Sequence, residues 1–168
     1  MVKTRRSSAG YTLVEAMLVV AILGILASAG AQMLLQVQRY FILTKTRADV
    51  QREARSAMYV ITRELRQAQS SSITVDQVAN QPFYSRITFN KTQDATKMYF
   101  YQNGNKLIQQ RGSNVTTLST HLVYLAFSLP RSDNLAIISV DMTIQEAIFQ
   151  GQTKALHMAS EQVQIMNN

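Results

Sequence analysis

The chain has no cysteine and no tryptophan, and its 168 residues include two prolines and six glycines. Without cysteine there is no disulfide framework, no thiolate zinc site and no thiol nucleophile, so packing alone must hold any folded domain together. Proline and glycine are also unevenly spread. No proline precedes Pro82, and no glycine lies between Gly30 and Gly104, so neither interrupts a helix between Gly30 and Pro82. Catalytic signatures are missing as well: there is no phosphate-binding Gly-rich loop, no H-E-x-x-H and no G-x-S-x-G. The two histidines, His121 and His157, stand beside apolar neighbours in stretches that read as strands, where a sheet-face role outweighs catalysis or metal binding. Asp94, Asp133, Asp141, Glu146 and Glu161 are too dispersed for a calcium loop. These absences point away from an enzyme, and no cofactor or metal is expected.

What is present is one long apolar run. Lys3, Arg5 and Arg6 are followed by Gly10, Tyr11, Thr12, Leu13, Val14 and Glu15. Then comes Ala16 to Ala31, in which Ser28 is the one polar side chain. As a helix, Tyr11 to Leu35 would span about 37 Å at 1.5 Å per residue, enough to cross a hydrocarbon core of about 30 Å with some tilt. Glu15 is the anomaly, since a carboxylate within a spanning segment costs a few kcal/mol. Its place near the helix start lowers that cost, because the helix dipole favours negative charge there. Were the chain cut after Gly10, the new α-amino group of Tyr11 would lie one turn from Glu15. A partner's amine could then turn two unpaired charges into one buried pair. A secretory signal peptide is an alternative, with Ala27-Ser28-Ala29 as its cleavage site; Glu15 and the helical pattern beyond Ala29 weigh against it. A plain anchor with an incidental Glu15 is another.

The order Gly10, aromatic Tyr11, Thr12-Leu13-Val14-Glu15 and then an apolar helix resembles the N-terminus of the type IV pilin-like family, which includes pilins and the pseudopilins of type II secretion. Tyr11 stands where Phe is commoner. The resemblance implies prepilin peptidase cleavage between Gly10 and Tyr11, N-methylation of Tyr11 and subunit docking through Glu15. It also implies assembly with other pilin or pseudopilin subunits at an inner-membrane platform. Lys3, Arg5 and Arg6 would hold the N-terminus in the cytoplasm, with the C-terminal domain outside and later in a filament, in the periplasm or at the surface.

The expected division is a leader over 1–10, a membrane and assembly helix over 11–35 and a soluble domain over 36–168. With 46% hydrophobic and 16% charged residues, the chain is neither disordered nor wholly membrane-embedded. Beyond Leu35 the pattern turns amphipathic through Val37, Phe41, Thr44 and Ala48. It then settles on Val50, Ala54, Ala57, Ile61, Leu65 and Ala68, with Arg47, Arg52, Arg63 and Arg66 on a solvated face. One helix is expected from Tyr11 to about Gln69, ending at Ser70–Ser72. After it the period falls to two. Strands are expected over Tyr84–Asn90, Lys97–Gln102, Lys106–Gln110, His121–Leu129, Ile138–Gln145 and Leu156–Ile165, with a three-residue hairpin turn at Asn103-Gly104-Asn105. In the fourth of these, Val123, Leu125, Phe127 and Leu129 should share a face. The fold class is therefore α+β: a long N-terminal helix packed on an antiparallel sheet, with the Val50–Ala68 stripe as its cover.

The segment Ala57, Ile61, Arg63-Glu64-Leu65-Arg66, Gln67-Ala68 resembles the helix end of minor pseudopilins of the type II secretion J kind and of minor pilins of the W kind; Val163 to Asn167 fits the same branch. The resemblance therefore implies a minor subunit that helps initiate a filament. The alternative is a filament-displayed module contacting DNA, a surface or an exported substrate. Tyr84, Tyr99, Tyr101 and Tyr124 near Arg86 and Lys97 offer base stacking, although ordinary strand positions explain them too. Removing the three basic residues of the leader leaves 14 Lys and Arg against 10 acids, or +4, which suits an acidic partner but is thin support for nucleic acid.

Overall fold

A computed structural model describes residues 10–92, 94–131, 136–149 and 153–167; Lys3, Arg5, Arg6 and Asp133 lie outside the described residues. The chain divides into two compact units, Met1–Ile42 and Leu43–Asn168.

One helix, α1 (Leu13–Arg66, 54 residues), begins in the first unit. There its apolar side chains, among them Leu18, Val20, Ile25 and Leu34, are exposed. By length and composition the helix can cross a membrane. Val37 and Phe41 are likewise exposed. Acidic Glu15 in the first turn and Arg63 and Arg66 in the last both complement the helix dipole. The helix stops three residues short of Gln69. The N–H groups of Gln67 and Ala68 donate to the carbonyls of Glu64 and Leu65 at 3.2 and 3.0 Å, tightening the last turn. Gln69 N–H then donates to Asn90 O at 2.9 Å, drawing the backbone onto a strand, and Ser70–Ser72 form a 3₁₀ turn.

Among the described residues, eight strands follow in the second unit. The first five, β1 (Thr74–Asp76), β2 (Arg86–Lys91), β3 (Asp94–Asn103), β4 (Lys106–Arg111) and β5 (Asn114–Ser119), form an antiparallel meander in chain order. The last three, β6 (Leu122–Ser128), β7 (Ile137–Phe149) and β8 (Thr153–Gln164), form a second one. The predicted stripe is the helical side of the core: Val50, Ala54, Ala57, Ile61, Leu65 and Ala68 are all buried, in one cluster with Ile87, Phe89 and Phe100 of the first sheet and Phe127, Ile138 and Val140 of the second. Phe89 and Phe100 stack with ring centroids 6.1 Å apart. Arg47, Arg52, Arg63 and Arg66 are exposed, as a solvated face requires.

Several sequence expectations are corrected. Among the described residues there are two sheets, not one, and no ladder joins β5 to β6. Buried Gln102 on β3 bridges to β6, donating through Nε2 to Val123 O at 3.1 Å and accepting at Oε1 from Leu125 N–H at 3.1 Å. The hairpin turn holds two residues, since Asn103 pairs with Lys106 and Gly104 takes φ 59° ahead of Asn105. Only glycine adopts that first-position conformation without strain. A second such turn, with Gly112 at φ 57°, creates β5, where Asn114 pairs with Arg111; neither β5 nor β1 is among the expected strands. Tyr84 has φ 61°, so β2 starts at Arg86. Val123 is exposed because the register slips between Leu122 and Tyr124, placing Leu122 rather than Val123 in the core. Leu129 lies past the end of β6 and is exposed as well. The alternation in β7 holds, with Ile138, Val140, Met142 and Ile144 buried.

Glu64 stands next in sequence to solvated Arg63, yet it is 6% exposed. It pairs with Lys91 at the end of β2 and with Arg63 Nη2 at 2.9 Å. Burial opposes its charge, but hydrogen bonds and charges from Lys91 and Arg63 outweigh burial and hold the carboxyl below its ordinary 4.5. A lowered folded-state value means stability that is full above the unfolded value and lost as pH falls through the folded one. Parent and Glu64→Gln should therefore differ in melting temperature at pH 7, with the parent higher, and the gap should close as pH drops below about 4.5. Thermal melts of both chains in detergent across pH 3 to 7 check this; a gap independent of pH would remove the ion pair from the account.

Candidate functional site

Gly10 and Tyr11 precede the helix, and Tyr11 is 89% exposed. A Cβ added to Gly10 would meet no atom within 4 Å among the described residues. Gly10 is exposed as well.

The first turn is closed by a reciprocal pair. Glu15 N–H donates to Thr12 Oγ1 at 3.3 Å, while Thr12 N–H donates to Glu15 Oε2 at 3.1 Å and Thr12 Oγ1 approaches the same oxygen at 3.3 Å. This is a capping box: Thr12 and Glu15 each satisfy a backbone N–H that the helix leaves unpaired. Sequence reasoning passes over Thr12, although the T-x-x-E spacing ahead of an apolar run is its signal. Both bonds to Glu15 use Oε2; Oε1 accepts none among the described residues. A carboxylate can accept on both oxygens. Glu15 can thus start its own helix and still offer an oxygen to a further donor.

The other candidates lie in the second unit. His121 sits just before β6 rather than within a strand, and its Nδ1 lies 3.0 Å from Glu53 Oε2 on the helix. Glu53 Oε1 accepts Thr120 N–H at 3.1 Å. Burial would raise the Glu53 carboxyl, but hydrogen bonds from Ser119, His121 and Thr120 and the nearby His121 charge hold it low. This contact ties the start of β6 to α1. His157 is on β8, half-buried and paired with Ile144. Of the tyrosines, Tyr99 and Tyr101 on β3 sit opposite Thr88 and Arg86 of β2. Arg86 is already engaged, with its Nε 2.6 Å from Asp76 Oδ1. Tyr84 lies in a loop and Tyr124 in the other sheet, so the four rings do not form one platform. Asp94 begins β3, Asp141 and Glu146 are on β7, and Glu161 is on β8.

A family model described as the prokaryotic N-terminal methylation motif matches residues 5–31. No curated protein matches the chain. The matched stretch contains Gly10, Tyr11 and the Thr12–Glu15 box, and it runs into the helix long and apolar enough to cross a membrane. The methylation motif, an apolar helix suited to inner-membrane anchoring and the antiparallel sheets after it together support a type IV pilin-like protein, the kind of subunit that builds a pilus or pseudopilus.

Proposed function

We propose that the chain is a minor pilin or pseudopilin that helps initiate its filament. In this reading residues 11–35 hold it in the inner membrane, with the N-terminus in the cytoplasm and residues 36–168 outside. Prepilin peptidase cuts between Gly10 and Tyr11, Tyr11 is methylated, and the inner-membrane platform passes the subunit to its neighbours. Glu15 carries the reading: the capping box occupies Oε2, and Oε1 of this carboxylate at the head of an apolar helix remains available to accept a further donor. The protonated amine of a mature N-terminus, its own or a neighbour's, is such a donor. The minor branch is supported by the helix-end segment Ala57 to Ala68 and by Val163 to Asn167, although core packing also explains Ala57, Ile61, Leu65 and Ala68. A structural role is favoured over base stacking by the strand tyrosines, because Tyr84, Tyr99, Tyr101 and Tyr124 form no single platform and Arg86 is paired with Asp76.

Mass spectrometry of the protein from membranes of a host with prepilin peptidase tests the processing step. The expected mature chain starts at methylated Tyr11. A chain starting near Gly30 would establish a signal peptide and overturn the filament reading.

A further inference from the structure

Within the second unit, a groove of about 910 Å³ runs between the flank of α1 and β8, comparable to clefts that hold ligands and peptides. β8 is the last strand of its sheet, so one edge has no strand beside it among the described residues. Such an edge presents unpaired N–H and C=O groups to any extended chain that reaches it. The groove is closed at one end, where Met166 N–H donates to Arg66 O at 3.2 Å and Ser70 N–H to Asn167 O at 3.2 Å.

The two faces of β8 differ. Leu156 and Met158 point outward and are exposed, Met158 to 68%, whereas Ala155 and Val163 on the opposite face are buried. On the helix side stand exposed Tyr59 and the arginines Arg55, Arg63 and Arg66. Arg63 lies over the Tyr59 ring at 5.9 Å and pairs with Glu64; Arg55 and Arg66 have no ion pair among the described residues. Glu161 is the acid on the opposite wall, and it accepts a hydrogen bond from Thr62 Oγ1 at 3.3 Å.

We infer that this edge accepts an extended segment of a neighbouring subunit, one that alternates apolar and acidic residues. Side chains of an added strand alternate between the faces of the sheet. Those on the outer face would lie beside Leu156 and Met158 and should be apolar. Those on the inner face would meet Arg55, Arg63 and Arg66 and should be carboxylates, which arginine binds bidentately. Backbone pairing along β8 supplies affinity and the alternation supplies selectivity. The inference rests on the filament reading only for the partner being a subunit.

The test uses the full chain in nanodiscs of zwitterionic lipid and two fluorescent capped octapeptides, one alternating Val and Glu, the other Val and Lys. Fluorescence anisotropy should show saturable binding of the Glu peptide, weakened by salt, and at least tenfold weaker binding of the Lys peptide. Hydrogen exchange should slow over residues 156–162 when the Glu peptide is bound. Arg55→Glu with Arg66→Glu should weaken the Glu peptide tenfold or more, and Arg55→Lys with Arg66→Lys should retain most of its binding. Both pairs change exposed side chains, and circular dichroism checks that the fold persists. Equal binding of both peptides, no binding, or insensitivity to charge reversal would overturn the inference. So would crosslinking of β8 to β8 of a second copy with exclusion of the peptide, which would make that copy the occupant. None of these outcomes bears on cleavage at Tyr11, so the two readings fail separately.

Discussion

Ile61→Asp is expected to cost the sheet domain about 4–5 kcal/mol, close to its whole stability if that lies near the lower end of the usual ~5–15 kcal/mol. Ile61 is fully buried in the cluster that joins α1 to both sheets. Removing its side chain forfeits about 2–5 kcal/mol of transfer and packing. The new carboxylate finds no cation among its buried apolar neighbours, so it must either stay charged at high cost or take up a proton. Ser56→Asp, at an exposed position five residues earlier, should stay within about 0.5 kcal/mol of the parent. Denaturant unfolding of the three chains, followed by circular dichroism, measures the difference. If Ile61→Asp unfolds with the parent, the covering stripe faces elsewhere.

That stripe was legible because helical periodicity is local: Val50, Ala54, Ala57, Ile61, Leu65 and Ala68 declare a face without any knowledge of what meets it. The alternation Ile138, Val140, Met142, Ile144 is readable for the same reason. Pairing between distant strands is not local, and there the reading fell short. Nothing in the residues around Gln102 says that its amide will bridge β3 to β6. Val123 belongs to a clean alternating run, and only the slipped register against β7 turns it outward. Glu64 looks like any helix-surface acid until Lys91 arrives from β2 to meet it. At the candidate site the residue types and spacing of Gly10, Tyr11 and Glu15 were readable, and the same stretch falls in the matched methylation motif. The Thr12–Glu15 box was readable too, yet a carboxylate in an apolar helix suggests a distant partner before a local one.

The box changes how Glu15 must be tested. Glutamine at the same position can keep the capping geometry but removes the charge, whereas alanine removes both. Loss of the charge should leave membrane insertion at least as favourable as in the parent, and cleavage after Gly10 should continue. Docking is expected to suffer. Taking away one member of a buried ion pair costs about 3–5 kcal/mol, on the order of 100-fold or more in affinity, because the amine left behind has no partner in a low-dielectric setting. Neither cap nor charge is needed for the sheet domain to fold, so its melting should not move. The decisive measurement is recovery of partner subunits with the Glu15→Gln chain, quantified against the parent at equal membrane level and equal Tyr11 processing. Recovery lowered as far as in Glu15→Ala is the result expected of a charge that docks the subunit. Full recovery with Glu15→Gln, with loss confined to Glu15→Ala, would show that Glu15 only starts its helix and would contradict the docking role.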